Sequence, residues 1–206
     1  MSEMQLRTDQ VLIAEWIQPN ARVLDLGCGD GTLLTYLHEQ RQITGYGLEI
    51  DPDNITACID RGVPVMQSDV DAGLSDFDDD SFDYVIMTQT LQAVHYPHEV
   101  LNEMLRVGRE GIVTFPNMGH WRARMQVALR GRMPMTMALP YKWYNSPNIH
   151  LCSVRDFEAL CEEEGIEVLE CTTVDHAHRT SLGMRLLPSL LGEIAIYRFR
   201  REAGLG

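Results

Sequence analysis

The stretch Arg22-Val23-Leu24-Asp25-Leu26 runs directly into Gly27, Gly29 and Gly31, three glycines at alternate positions. Val23 to Leu26 is a short apolar run of the kind that becomes a buried parallel strand, and the glycines that follow permit a turn in which backbone touches a ligand. Helix-forming residues resume at Thr32-Leu33-Leu34-Thr35-Tyr36-Leu37. The turn therefore delivers free N–H groups to a helix N-terminus, where a carboxylate or other anion is stabilised. A strand, a glycine turn and a helix in this order confine the chain to the α/β class. The pattern continues with strand 43–49, helix 52–61, strand 63–67, strand 82–88, helix 98–107 and strand 110–115. An amphipathic helix over Asp9 to Ile17 precedes the first strand. Such alternation predicts a mostly parallel sheet with helices on both faces. Ser153 opens a later helix, with Asp156 as its capping-box partner and Phe157, Leu160 and Cys161 as its apolar face. Two closing strands follow, Ile166 to Thr172 and Glu193 to Phe199.

The second strand ends on Glu49, an acid placed to accept hydrogen bonds from both ribose hydroxyls of a nucleoside lying across the strand ends. Two details separate the cofactors that use this arrangement. The dinucleotide fingerprint requires a small residue where this chain has Thr32, and dehydrogenases carry an apolar residue where it has Asp25. A carboxylate at that point repels a pyrophosphate and receives an ammonium group. S-adenosylmethionine offers an ammonium, a ribose diol and an adenine, and no phosphate. NAD and a purely structural glycine turn are the competing readings. The segment resembles motif I of the class I S-adenosylmethionine-dependent methyltransferases. That resemblance implies a Rossmann-like seven-stranded sheet with an antiparallel final strand. It also implies a site for S-adenosylmethionine or S-adenosylhomocysteine built from Asp25, Gly27, Cys28, Gly29, Gly31, Glu49, Ile50, Asp69, Val70 and Thr88. Asp69, after the third strand, matches the acid that accepts from the adenine amino group. The neighbouring Asp71, Asp76, Asp78, Asp79, Asp80 and Asp83 read as a solvated acidic run. A charged residue at Gly29 is expected to hurt through backbone crowding.

A chain of 206 residues with 45% hydrophobic content buries one sizeable core, and a single domain is the expected organisation. Its net charge of -13 opposes a nucleic-acid backbone or an anionic membrane as partner. With no apolar span and no signal sequence at Met1-Ser2-Glu3-Met4, the expectation is a cytoplasmic protein. Five cysteines without a Cys-x-x-Cys pair fit reduced thiols. Asp175, His176 and His178 lack the further ligands of a zinc site and read as a polar loop.

One segment departs from the alternation. From Gly111 to Cys152 there is no Asp or Glu, although the chain has 30, whereas Arg122, Arg124, Arg130, Arg132 and the single lysine, Lys142, all fall there. Residues 118–152 form an insertion rich in methionine and aromatics, among them Trp121, Met125, Met133, Met135, Met137, Tyr141, Trp143 and Tyr144. It follows the fifth strand and so sits above the edge of the sheet where open α/β folds bind ligands. Two roles fit: a lid selecting an anionic acceptor, or a docking surface with methionine and aromatic anchors. An insertion packing a small core of its own, with arginines in solvent, is the structural alternative.

Here the resemblance narrows. Gly45-Tyr46-Gly47-Leu48-Glu49-Ile50-Asp51, Thr88-Gln89-Thr90-Leu91-Gln92-Ala93-Val94, Thr114-Phe115-Pro116-Asn117-Met118-Gly119-His120-Trp121-Arg122, Gly131-Arg132-Met133-Pro134, Leu139-Pro140-Tyr141-Lys142-Trp143-Tyr144-Asn145 and Pro147-Asn148-Ile149-His150 are similar to the MetW family of methionine-biosynthesis proteins. Leu191-Gly192-Glu193-Ile194 extends the likeness, which covers about residues 8–200. The resemblance implies a methyltransferase fold and association with the homoserine O-acyltransferase, a MetX-type α/β-hydrolase. This chain has no Gly-x-Ser-x-Gly elbow of its own for acyl chemistry. The expected role is partner or activator of that enzyme, with methyl transfer to a small, anionic metabolite as the alternative. Methyl transfer to oxygen or nitrogen needs a base, and His95, His120 and His150 are the candidates. Thr88-Gln89-Thr90 stands where enzymes methylating amide or base nitrogens carry Asn/Asp-Pro-Pro-Tyr/Phe, which disfavours those substrates.

Overall fold

A computed structural model of the protein describes residues 6–175 and 182–202. The chain runs α1 (Thr8–Trp16), β1 (Arg22–Leu26), α2 (Thr32–Arg41), β2 (Thr44–Glu49), α3 (Pro52–Asp60), β3 (Val65–Gln67) and β4 (Phe82–Thr88). Then follow α4 (Pro97–Val107), β5 (Gly108–Pro116), α5 (Trp121–Arg130), α6 (Val154–Glu163), β6 (Ile166–Val174), α7 (Leu182–Leu186), α8 (Pro188–Leu191) and β7 (Ile194–Arg201). The strands form one seven-stranded sheet in the order β3-β2-β1-β4-β5-β7-β6. β1 to β5 pair in parallel, and β7 runs antiparallel to both β5 and β6. This is the Rossmann-like class I methyltransferase topology expected from the sequence, with its antiparallel last strand.

Period-two alternation divides the core between the faces of the sheet. Val23, Ile86, Ile112 and Ile196 face one side, against Ile13 of α1, Ile17 just after it, and Leu33 and Leu37 of α2. Leu24, Val85, Val113 and Phe199 face the other, against Leu101 and Met104 of α4 and Phe157 of α6. Phe157 anchors that second layer: its ring lies 5.1 Å from Phe115 and 4.6 Å from Tyr197, centroid to centroid. The central strands are buried on both faces, which is why they read as unbroken apolar runs rather than as alternation.

Strand and helix limits follow local chemistry. β1 stops at Leu26 because Gly27 turns to φ +70°, and α2 begins after Gly31, whose φ is +75°. The capping box is formed: Ser153 Oγ accepts from the Asp156 backbone N–H, and Asp156 Oδ2 accepts from that of Ser153 at 3.0 Å. Sequence periodicity gave no helix inside the insertion, but α5 forms there and ends at Gly131, φ +58°. Ala123 is its only buried residue, so α5 has no apolar stripe for a pattern to reveal. No helix among the described residues is long and apolar enough to cross a membrane, and they contain no group of three or more metal-binding side chains. His176 and His178 lie outside the described residues.

Candidate cofactor site

The sheet order reverses between β1 and β4: β2 and β3 extend one way from β1, β4 and β5 the other. Open α/β sheets bind ligands in the crevice this creates at the carboxyl ends of the strands. The glycine loop sits there, hung on the second strand by Gly27 N–H and Cys28 N–H, which both donate to the Leu48 carbonyl (2.8 and 3.1 Å). Glu49, itself buried, fixes the loop from the other side. Its Oε2 accepts from Gly29 N–H at 2.8 Å, and its Oε1 accepts from Ile50 N–H (2.8 Å) and Asp51 N–H (3.0 Å). Three backbone donors hold that carboxylate in one orientation before any ligand arrives, and its oxygens retain lone pairs for hydroxyl donors.

Asp25 shares its strand face with Val23 and is 1% exposed, and its Oδ1 has no hydrogen-bond partner. Burial pushes its pKa from the ordinary 3.8 up to about 7; the Arg7 guanidinium pulls it down and Glu49 adds a further upward push. An unpartnered buried carboxyl is a costly feature that a cationic donor would relieve. At Gly27 an added Cβ would meet Thr90 Oγ1 at 2.7 Å, in a left-handed backbone conformation. Gly29 differs from the sequence expectation. Its Cβ position has nothing within 4 Å, so no protein group is crowded and the penalty there is the φ of +57° and intrusion into the ligand space.

The remaining expected residues fall around this crevice with unequal roles. Only the backbone of Cys28 belongs to the loop; its thiol is buried 3.8 Å from Cys58 Sγ, and burial raises its pKa. Ile50 is exposed just past β2, and Thr88 is half-buried at the end of β4, paired with Thr114. Asp69 is exposed after β3, where its Oδ1 accepts from Asp71 N–H at 3.0 Å and caps the short 3₁₀ turn Val70–Ala72, in which Val70 is buried.

Asp71 has a role beyond the one expected. It is exposed, as expected of the acidic run, and is also the partner of His95: Oδ1 accepts from the His95 backbone N–H at 2.8 Å, and Oδ2 lies 2.7 Å from His95 Nδ1. The hydrogen bond that Asp71 accepts and the Asp71 charge raise the His95 pKa. The pair ties the turn after β3 to the segment after β4. His150 joins the cluster, with Nε2 3.1 Å from the His95 carbonyl, and the backbone N–H groups of Ile149 and His150 donate to the Gln92 carbonyl (2.8 and 3.0 Å). The structure thus brings His95 and His150 together at the mouth. His120 is elsewhere: buried at the start of α5, with Nε2 3.9 Å from Glu193 Oε1 and Nδ1 without a partner. Burial lowers its pKa, partly offset by Glu193.

Sequence reasoning gave Arg7, Gln89 and Gln92 no part in the site, although both glutamines lie in a segment that marks the family. Gln89 follows β4 with φ +53°, rare for a residue with a side chain, and its N–H is held by the carbonyl and the Oγ1 of Thr114 (2.9 and 3.0 Å). No motif marks it, since the strain belongs to the backbone. These three residues line an open cavity of about 370 Å³ above the carboxyl ends of β4 and β5, walled on one side by the insertion. A cavity of similar volume lies between α2 and the start of β2, at the opposite edge of the sheet from the glycine loop. The fold places ligands at the former edge.

Comparison with known proteins agrees with this fold. A methyltransferase of Mesorhizobium loti dependent on S-adenosylmethionine superposes with a TM-score of 0.69 at 14% identity, over 94% of this chain and 98% of that one. Another from Thermotoga maritima gives 0.64 at 18%, over 94% and 88%. The [4+2]-cyclase SpnF gives 0.67 at 18%, over 95% and 81%. Identities this low speak for the fold alone, and the cyclase is one reason why fold does not assign a reaction. In sequence, the chain is 34% identical to the bifunctional methionine biosynthesis protein MetXA/MetW of Rhodopirellula baltica, over 98% of its own length. It spans only 34% of that relative. The model of the family described as methionine biosynthesis protein MetW matches residues 7–199. The chain belongs to the MetW family.

Proposed function

We propose that this methionine biosynthesis protein binds S-adenosylmethionine in the crevice beside the glycine loop and acts as partner and activator of a homoserine O-acyltransferase. The observation carrying the partner role is the insertion. Trp121, Met125, Met133, Trp143, Tyr144 and Ile149 are exposed there, Trp143 to 78%, on a basic segment of an acidic protein. Large apolar side chains exposed at this density mark protein-binding surfaces, and methionine, aromatic and arginine side chains are the types that dominate binding energy. The fused relative supports the reading: its name couples a MetXA part to a MetW part in one chain, which keeps the two at high effective concentration.

The cofactor reading rests on Asp25 and Glu49. Asp25, with a buried oxygen lacking a partner, suits an ammonium, and Glu49, oriented by three backbone N–H groups, suits a ribose diol. Gly29 leaves open space where the ligand would approach the backbone. When bound, the cofactor supplies an electrophilic methyl group. Methyl transfer to a small metabolite is the second reading, favoured by the Asp71–His95 pair. The carboxylate holds one imidazole nitrogen, which leaves the other as a base at the mouth.

The test is homoserine O-acyltransferase activity of the purified cognate enzyme, with and without this protein and its Trp143→Ala/Tyr144→Ala variant. Stimulation that the variant loses, while calorimetry shows it still binding S-adenosylhomocysteine, is the expected result. Absence of both stimulation and co-elution defeats the partner role, and release of S-adenosylhomocysteine from S-adenosylmethionine with a metabolite acceptor would put the methyltransferase reading first.

A further inference from the structure

Helix α1 runs against the parallel strands. At its end the Trp16 ring lies 6.0 Å from the Arg198 guanidinium, level with Ile112 in the middle of β5, whereas just before its start Arg7 lines the open cavity with Gln89 and Pro116. Arg7 therefore stands over the carboxyl ends of the strands. β1 and β4 are neighbours there, with Asp25 opposite Ile86, three residues before Gln89. The Arg7 charge reaches Asp25: burial raises the Asp25 pKa, and Arg7 opposes the rise. The Arg7 guanidinium is held by the buried Asp9 carboxylate, with Nε donating to Oδ1 and Nη2 to Oδ2, both at 3.2 Å. That pairing uses one edge of the planar fork. The other edge, Nη1 and the second proton of Nη2, makes no hydrogen bond to the described residues and suits a second carboxylate.

An unpartnered carboxyl oxygen and a guanidinium near enough to influence each other suit a ligand that carries both charges on one carbon. The amino-acid end of the cofactor is such a group. Strand order sets the sequence of contacts: Glu49 closes β2, Asp25 lies in β1 and Arg7 stands past β4, and these strands are adjacent in the order β2-β1-β4. A nucleoside whose ribose meets Glu49 thus carries its substituent across β1 toward Arg7. We propose that Arg7 receives the α-carboxylate of S-adenosylmethionine or S-adenosylhomocysteine while Asp25 Oδ1 receives the ammonium, so that the site selects the intact amino-acid nucleoside against nucleosides lacking the carboxylate. The proposal rests on the cofactor reading above and adds to it the residue that reads the carboxylate. Asp9 matters to this role. A guanidinium tethered to a buried acid is oriented before the ligand arrives and loses little rotamer freedom on binding. Without Arg7, the glycine loop, Asp25 and Glu49 would hold a decarboxylated nucleoside as well as the intact one.

The probes are S-adenosylhomocysteine and its decarboxylated analogue, which keeps the ammonium and lacks the carboxylate, each titrated calorimetrically into the full chain. The wild type should bind S-adenosylhomocysteine at least about tenfold more tightly than the analogue. Arg7→Gln should erase that preference, lowering affinity for S-adenosylhomocysteine by about the same factor and leaving that for the analogue unchanged. Arg7→Gln also takes this cation from the buried Asp9, so the double variant Arg7→Gln/Asp9→Asn is titrated beside it, with thermal melts checking that both are folded. The wild-type comparison needs no variant: equal affinity for the two nucleosides overturns the proposal. A preference that survives in a folded variant also overturns it, because the carboxylate would then have another partner. Binding of neither nucleoside to the wild type would overturn the cofactor reading itself, and the proposal with it.

Discussion

Asp25→Asn isolates the electrostatics of the crevice. Folded, Asp25 titrates near 7 instead of 3.8, because its carboxyl is buried and Glu49 stands nearby, against a smaller pull from Arg7. A displacement of this size corresponds to on the order of 4 kcal/mol. The sign follows from proton binding. Between the unfolded and folded values the native state keeps a proton that the unfolded state has lost, so ligand-free stability falls as pH rises from about 4 to about 7 and is level above that. Asparagine has no charge to bury. Any fixed penalty for its unpaired amide is the same at every pH, so the diagnostic quantity is the change with pH of the stability gap between variant and wild type. Urea denaturation of the ligand-free proteins at pH 5 and pH 8 measures it. The gap should move in favour of Asp25→Asn by a few kcal/mol over that interval. A gap independent of pH refutes the argument: Asp25 would then be ionised without penalty and would have no call for a cationic partner. The same substitution should weaken S-adenosylmethionine binding by about 1.5–3 kcal/mol, the magnitude of a lost charge-assisted hydrogen bond. The variant would gain stability relative to the wild type as pH rises, and would be less able to bind.

Other consequences are equally direct. His95 should titrate above 6.5 by NMR and return toward that value in Asp71→Asn; an unchanged midpoint would mean that the 2.7 Å contact carries no charge. Gly27→Ala should destabilise the protein by more than Gly29→Ala, since both incur about 1–2 kcal/mol of left-handed strain but only the first meets Thr90; equal melting temperatures would contradict the contact. Phe157→Ala should cost about 3–5 kcal/mol, read by denaturant midpoint, because the ring fills the space between Phe115 and Tyr197. Ser153→Ala should cost about 1 kcal/mol through loss of the cap on α6, with Asp156→Ala close to it if the two act as one box.

How much was legible in the chain depended on whether the cause was local. The strand–glycine–helix order at residues 22–41, the acid at the end of β2 and the capping box at Ser153 are set by neighbours in sequence, through pleat, φ and hydrogen bonds between residues a few positions apart. The sheet itself could be anticipated as mostly parallel, because strands buried on both faces must be apolar throughout and helices must connect them. Strand order is another matter, since pairing β5 with β7 across the intervening 117–193 depends on contacts no period records.

The site divides in the same way. Asp25 and Glu49 were readable as residue types at the right spacing, but that Asp25 is buried with an oxygen unpaired is a property of the packed sheet around it. Asp71 looked like one more acid in an acidic run until the fold set it against His95, 24 residues away. Gln89 and Gln92 lay inside a segment that marked the family but gave them no role, and Arg7 carried no pattern; what sets them apart is one cavity wall and one left-handed backbone. Sequence by itself determined the elements and the chemistry available at their ends, because those follow from side-chain type and short-range geometry. Only the tertiary structure decided which charges lose their water and which polar atoms are left facing a cavity, because desolvation is imposed by residues distant in the chain.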